Sequence, residues 1–333
     1  MNLVTGAAGH LGNVLVRALI ERGEAVRALI LPGENVSSLD GLPVERVDGN
    51  VLDPQSLDRA VRGVDTVFHM AALVSLLEEH AAILQRVNVG GTHNILRAAR
   101  AAGVRRFVYT SSIHALARPE AGVTIDESQP FDPHNPAGAY DHTKAAASIA
   151  VQQAAAEGFH AVIACPTGVI GPYDFRRSEM GEMILTWMYS PYQWLVRGSF
   201  DFVDVRDVAE GHIRARDEGR PGETYILGGS QIRVDQLCGL VVEQVRRRSR
   251  VIQIPHRLAM IAAGVAERYY HLTHTRPSFT RYSLETLLSN SMISVRKAGS
   301  ELGYRPRSLL ETVRDTVAWW TENKTSTMAS VRV

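Results

Sequence analysis

Tyr140-Asp141-His142-Thr143-Lys144 places a phenol and an ammonium four positions apart at the start of an alanine-rich helical pattern, so both lie on one helix face. Alone, such a pair is no more than an exposed i,i+4 contact. What it can do depends on what the chain sets beside it. Ser111-Ser112 closes an apolar strand pattern, and Asn88 opens Asn88-Val89-Gly90-Gly91-Thr92 inside a long helical one. A second chemical stretch opens the chain. Thr5-Gly6-Ala7-Ala8-Gly9-His10-Leu11-Gly12 sets three glycines three residues apart, between an apolar run and a helix pattern carried by Leu11, Val14, Leu15, Ala18 and Leu19. Gly6 allows a tight turn, Gly9 leaves room for a pyrophosphate, and Gly12 lets helix and sheet pack closely. The helix N-terminus then offers N–H groups and partial positive charge to phosphates. The spacing is G-x-x-G-x-x-G, not the commoner G-x-G-x-x-G. A glycine triplet by itself is an ordinary turn; a strand before it and a helix after it point to a dinucleotide.

The elements that must position these groups alternate through the first half. Strand patterns fall at 25–31, 44–47, 66–70, 106–112 and 161–165. Helical ones fall at 11–21, 54–61, 81–102 and 139–157. This alternation predicts an α/β fold with a doubly wound parallel sheet of Rossmann type and right-handed crossovers. Ligands in such sheets bind beyond the carboxyl ends of the strands, where Gly6, Ala71, Ser112 and Pro166 all fall. After Pro166 the pattern changes. An apolar and aromatic run fills 183–195, a strand at 202–208 leads into a helix at 209–216, and a short strand spans 225–227. Helices follow near 234–247, 255–272 and 309–320. The reading is a dinucleotide-binding domain at 1–165 with about 200–220, a smaller, partly interleaved α/β substrate domain at 166–199 with about 221–320, and a flexible tail at 321–333.

Composition limits the partners. The 333 residues carry a formal net charge of +1, which gives no electrostatic case for nucleic acid or for an anionic membrane. The exception is Arg246-Arg247-Arg248-Ser249-Arg250, read as the solvated end of a helix. No apolar run is long enough to span a bilayer. A strand beginning at residue 2 leaves no room for a signal peptide. Cys165 and Cys238 sit in apolar contexts without metal-ligand spacing, so no metal site is expected; they read as reduced, buried thiols of a cytoplasmic protein.

Several motifs occur in a fixed order: Thr5-Gly6-x-x-Gly9-x-x-Gly12, His69-Met70-Ala71-Ala72, Asn88-x-x-x-Thr92-x-Asn94, Thr110-Ser111-Ser112, Tyr140-x-x-x-Lys144, Pro166-x-x-Val169-x-Gly171-Pro172, Phe202 to Ala209, and Leu302-Gly303-Tyr304-x-Pro306. With these the chain resembles an extended short-chain dehydrogenase/reductase of the NAD-dependent epimerase/dehydratase group. It is most similar there to dihydroflavonol-reductase-like, 3β-hydroxysteroid-dehydrogenase-like and hopanoid-associated sugar-epimerase-like proteins. The resemblance covers nearly the whole chain. It implies Tyr140 as general acid/base, helped by the ammonium of Lys144 and by the oxidised nicotinamide, since a free phenol titrates near pH 10. It implies Ser112 as a hydrogen-bond donor to the reacting oxygen and Lys144 as a holder of the nicotinamide ribose. The implied cofactor site is Gly6, Ala8, Gly9, His10, Leu11, Gly12, Asn50, Val51, Ala71, Ala72, Asn88, Thr110, Tyr140, Lys144, Pro166 and Val169. Asn88 reads as a structural hydrogen-bonder, His114 as a surface loop histidine with substrate contact as the alternative, and Thr143 stands where many relatives have serine. Relatives commonly pair the 81–102 and 139–157 helices across a two-fold axis, which implies a homodimer.

The sequence departs from that group in two places. Leu29-Ile30-Leu31-Pro32 ends the second strand without the acidic residue that binds an adenosine 2′-hydroxyl or the arginine that pairs with a 2′-phosphate. Relatives often carry arginine at the position of Leu31, and the missing cation favours NAD over NADP. Asn50 replaces an aspartate that reads adenine. Sugar-nucleotide enzymes of the group place an arginine before the Asp-Phe-Val stretch to hold a diphosphate, where this chain has Phe200 before Asp201-Phe202-Val203. With the aromatic run at 183–195, that favours a fairly apolar small-molecule substrate, although the same run serves equally as core. The leading expectation is an oxidoreductase interconverting a ketone or aldehyde and an alcohol. The alternatives are a nucleotide-sugar epimerase or dehydratase and a cofactor-sensing protein without catalysis.

Overall fold

The computed structural model describes residues 1–75, 78–120, 122–134, 138–273, 284 and 292–323. In chain order the elements are β1 (Asn2–Thr5), α1 (His10–Glu21), β2 (Val26–Ile30), β3 (Glu45–Asp48), α2 (Pro54–Ala60) and β4 (Thr66–His69). A composite helix follows, made of α3 (Ala81–Leu84), a π-helical turn (Gln85–Gly90) and α4 (Gly91–Ala101). Next come β5 (Arg106–Thr110), α5 (Ala139–Ala156), β6 (Ala161–Pro166), β7 (Gly168–Ile170), α6 (Glu179–Tyr189), β8 (Tyr192–Val196), β9 (Ser199–Asp204) and α7 (Val205–Glu218). The chain then runs through β10 (Thr224–Leu227), β11 (Ser230–Arg233), α8 (Val234–Gln244), β12 (Arg250–Ile254), α9 (His256–Thr273), a short helix Arg296–Leu302 and the helix Leu309–Glu322.

Seven parallel strands form the main sheet in the order β10-β6-β5-β4-β1-β2-β3. β1, β4, β6 and β10 are buried along their whole length, which is why they read as continuous apolar runs without alternation. Each face has its own core. Val67 and Phe107 join α2, α4 and α5 on one side, while Phe68 and Val108 join α1 and α7 on the other. The strand order reverses between β1 and β4, and the crevice beyond their carboxyl ends is where such sheets take ligands.

The second half holds a three-stranded sheet, β11-β9-β7, and a two-stranded parallel one, β12-β8. The strand expected at 202–208 ends at Asp204 instead. The Asp204 carboxylate accepts from the backbone N–H of Arg206 and caps α7, so the helix starts four residues before the expected Ala209. The aromatic run divides: Ile184, Leu185, Trp187 and Met188 of α6 are buried in the core, whereas Tyr192 and Trp194 of β8 are exposed. The last helix runs two residues past Trp320, to Glu322; most of the expected tail, 324–333, lies outside the described residues. Arg246, Arg247, Arg248 and Arg250 are exposed after α8, as expected for a solvated helix end. Cys165 and Cys238 are buried and unbridged. Among the described residues no helix is long and apolar enough to cross a membrane, and no metal-ligand cluster occurs.

Candidate active site

The glycine turn makes a cradle that tolerates no side chains. Gly6 has φ +68°, and a Cβ on it would stand 2.9 Å from the Ala71 backbone nitrogen; a Cβ on Gly12 would stand 2.1 Å from the Gly6 carbonyl oxygen. Gly6 thus welds the end of β1 to the end of β4, and Gly12 seats α1 on the turn. No side chain caps α1 at Gly9, and its first turn carries no acidic residue. The start of α1 is therefore left to an anionic ligand, and these residues fit the pyrophosphate of a dinucleotide. Ala8 is buried and its carbonyl accepts from Ser38 Oγ at 3.0 Å, while Leu11 is half-buried. His10 Nε2 lies 3.0 Å from the Pro172 carbonyl oxygen, and Asn13 Nδ2 donates to the Tyr173 carbonyl. The loop after β7 therefore closes onto the start of α1.

At the adenosine end, Asn50 uses Oδ1 to accept from the Leu52 backbone N–H at 2.8 Å, which leaves Nδ2 as the group available to a base. Val51 is buried, and its carbonyl is held by Asn94. Arg27 faces away: it donates to the Ala60 and Arg62 carbonyls and pairs with Glu45. A carboxylate reaches back to the end of β2 from four positions later. Glu34 folds back, accepts from the Leu31 backbone N–H at 3.0 Å, and pairs with Arg176 at 2.8 Å. Arg176 also donates to the Asn35 carbonyl. Sequence reading missed Arg176, because nothing local in Tyr173-Asp174-Phe175-Arg176 connects it to a strand end 146 residues earlier.

A chain of hydroxyls and one imidazole ties the sheet ends together. Thr5 Oγ1 accepts from the Met70 and Ala71 backbone N–H groups and lies 2.7 Å from His69 Nδ1; His69 Nε2 lies 3.0 Å from Thr92 Oγ1, which donates to the Asn88 carbonyl. Burial, and then the charge of Lys144, hold the His69 imidazole down to about 3, so it is neutral and passes hydrogen bonds without carrying charge. Asn88 is, as expected, a structural hydrogen-bonder. It clasps the Leu73 backbone through both its oxygen and its nitrogen, and Nδ2 also donates to Thr143 Oγ1. Thr143 in turn donates to the Tyr140 carbonyl. The π-helical turn that carries Asn88 thus fixes both the loop beyond Ala71 and Ala72 and the first turn of α5.

Tyr140 and Lys144 open α5. Lys144 is buried, donates to the Thr110 carbonyl at 2.7 Å, and stands 5.0 Å from the centre of the Tyr109 ring. Burial lowers its pKa from the usual 10.5 to about 8. Thr110 Oγ1 is paired with the neutral, buried His212, whose other nitrogen meets the Val208 carbonyl. The Ser112 hydroxyl accepts from the His114 backbone N–H at 3.2 Å and stands close enough to the Tyr140 phenol to lower its pKa. Burial, and then Asp141, push the Tyr140 phenol upward, while Ser112 draws it down. Arg118 faces Asp141 at 3.3 Å. His114 is not a surface loop residue: its ring stacks on Phe200 with centroids 5.5 Å apart, and burial holds it down to about 3. Buried Pro166 and half-buried Val169 stand where β6 gives way to β7.

The family model described as "NAD dependent epimerase/dehydratase family" matches residues 2–228. The chain belongs to that family, the extended short-chain dehydrogenases/reductases, and is an enzyme. It is 37% identical over 324 residues to "Sterol demethylase protein B" of Methylococcus capsulatus, covering 96% of this chain and 98% of that protein. It is 31% identical over 309 residues to "4-hydroxy-2-methyl-3-oxo-4-farnesyl-3,4-dihydroquinoline-1-oxide ketoreductase" of Stigmatella aurantiaca, covering 91% of each. The crystal structure of gox2253 superposes with a TM-score of 0.84 at 33% identity, covering 97% of this chain and 98% of that one. In this oxidoreductase family the cofactor is a nicotinamide dinucleotide, and the glycine cradle fits it.

Proposed function

We propose that the protein interconverts a ketone and a secondary alcohol on an apolar, sterol-like small molecule. The observation that carries the reading is Phe200, buried and stacked on His114, at the position where sugar-nucleotide relatives bind a diphosphate through arginine. Two aromatic rings stand there in place of that arginine, and the cation that acts on them, Arg118, is already paired with Asp141. Both relatives named above carry names with an apolar skeleton, sterol in one and a farnesylated quinoline in the other.

In this reading the bound nicotinamide supplies or accepts the hydride. Ser112 has its oxygen occupied by the His114 N–H, so its own proton is free to donate toward Tyr140 and the substrate oxygen. Tyr140 delivers its phenolic proton to that oxygen in reduction and removes it in oxidation. Burial alone keeps the phenol protonated and leaves little phenolate to act as base; the nearby Lys144 ammonium and the positive oxidised ring would favour the phenolate in the oxidative direction. Lys144, held by the Thr110 carbonyl, would hold the nicotinamide ribose of a bound cofactor. Glu34 supplies the carboxylate for the adenosine hydroxyls, which favours NAD over NADP.

The test is a comparison of substrates with both cofactors, following absorbance of the reduced nicotinamide. Net hydride exchange with steroid or terpenoid ketones and none with nucleotide sugars is expected. Turnover of a nucleotide sugar without net cofactor reduction would replace this reading with epimerase chemistry.

A further inference from the structure

Among the described side chains of α9, one solvent-facing stripe is aliphatic. Leu258, Ile261 and Val265 are 58%, 67% and 64% exposed, and with Ala262 they hold the i, i+3, i+4, i+7 spacing of one helix face. The opposite side is used by the protein itself, where Ala259 and Ala263 are fully buried with Val196 and Leu284. β8 extends the apolar surface. Tyr192 and Trp194 alternate with buried Gln193 and Leu195, and Val196, next on the Trp194 side by strand alternation, is the residue that Ala259 and Ala263 cover. The aromatic rings of β8 and the aliphatic stripe of α9 thus flank one junction.

The stretch between Glu243 and Glu267 that borders it is basic. From residue 246 to residue 266 the chain carries Arg246, Arg247, Arg248, Arg250 and Arg257 and no aspartate or glutamate. Arg250 lies in register beside Tyr192. Scattered exposed leucines need no explanation, but an aliphatic helix stripe joined to Trp and Tyr and rimmed by arginine does. A second copy is a poor occupant, because a two-fold contact would set this arginine cluster against itself. An anionic bilayer surface accepts all three features: aliphatic side chains below the headgroups, aromatic rings at them, and guanidinium groups on lipid phosphates.

We propose that this face docks the protein on an anionic lipid bilayer, with Trp194, Leu258, Ile261 and Val265 entering the headgroup boundary and Arg248, Arg250 and Arg257 meeting the phosphates. The proposal rests on this surface alone and not on the catalytic reading.

The experiment is flotation of the full chain with vesicles of phosphatidylglycerol and phosphatidylcholine in equal parts, and with phosphatidylcholine alone. Wild type should float with the mixed vesicles and about tenfold less with the neutral ones. The exposed-site variant Leu258→Ser/Ile261→Ser/Val265→Ser and the charge variant Arg248→Glu/Arg250→Glu should each lose about tenfold in partitioning. Trp187, Trp319 and Trp320 are buried, so brominated acyl chains should quench Trp194 selectively, and Trp194→Phe should abolish that quenching. Absence of flotation, or flotation undiminished in both variants, overturns the proposal. Self-association in solution that the serine variant removes would assign the face to a second copy instead.

Discussion

The Lys144 ammonium donates to the Thr110 carbonyl at 2.7 Å while the rest of its side chain is buried beneath the sheet end. A cation in that position is costly to keep, which is why its pKa falls to about 8. The unfolded chain binds this proton more tightly than the folded one, so the penalty is fully present below about pH 8 and is relieved as pH rises toward 10.5. Lys144→Met removes the titration. The stability of wild type relative to this variant should therefore improve between pH 7 and pH 10.5, by on the order of 3 kcal/mol. Urea denaturation of both proteins at several pH values measures it. A difference independent of pH would mean that Lys144 keeps its ordinary pKa in the native state and that its burial does not penalise the charge.

The placement of Ser112 beside the Tyr140 phenol makes a second expectation specific. Tyr140→Phe keeps the ring and its packing but removes the proton, so turnover should fall by about 10²–10⁴ with cofactor affinity nearly unchanged. Steady-state kinetics together with a fluorescence titration of cofactor separate the two. Wild-type turnover in the variant would remove Tyr140 from the chemistry.

Local sequence carried the groups that contact one another through short spacings. Gly6, Gly9 and Gly12, the Tyr140/Lys144 pair and Ser112 at a strand end were all legible, because a turn, a helix face and a strand terminus each have a local signature. So were the central strands such as β4 and β6, whose burial on both faces leaves apolar runs. Features that depend on distant contacts were not legible. His114 looks like a loop histidine until Phe200, on a strand 86 residues later, is set against it. Val205 and Val208 have strand-like side chains, yet the Asp204 cap turns them into helix. β7 and β11 are three and four residues long, too short for periodicity to register. The π-helical turn at Gln85–Gly90 leaves no pattern in residue types, although it is what aims Asn88 at both Leu73 and Thr143.

Association is a third expectation. α4 and α5 lie side by side, joined by the Arg100–Glu157 ion pair at 2.6 Å, and Ile149 on the outer side of α5 is exposed. Small residues along α5, such as Ala146 and Ala150, permit close approach of a second copy, and pairing of these helices about a two-fold axis gives a homodimer. Light scattering at micromolar concentration should report twice the chain mass, and Ile149→Glu should return it to the monomer value. A monomer mass for wild type rules the interface out.

Cofactor choice turns on Glu34 and Arg176. The Glu34 carboxylate folds back to the Leu31 N–H and so sits at the end of β2, where sheets of this kind place the acid that reads adenosine hydroxyls. Arg176 reaches it from the loop after β7 and neutralises it in part. A 2′-phosphate would meet a carboxylate first, and Arg176 is already engaged with that carboxylate and with the Asn35 carbonyl. NAD should therefore bind more tightly than NADP by about tenfold, or roughly 1.4 kcal/mol. Glu34→Gln removes the repulsion and releases Arg176 to the phosphate, so NADP affinity should rise by about tenfold or more while NAD loses a hydroxyl partner. Glu34→Gln/Arg176→Ala should cancel the NADP gain, since a neutral amide is a weak partner for a dianion. Fluorescence titrations of both cofactors at one ionic strength give all the values. If NADP already binds more tightly to wild type, and Arg176→Ala alone abolishes that preference, then Arg176 serves the phosphate directly and Glu34 only steers it.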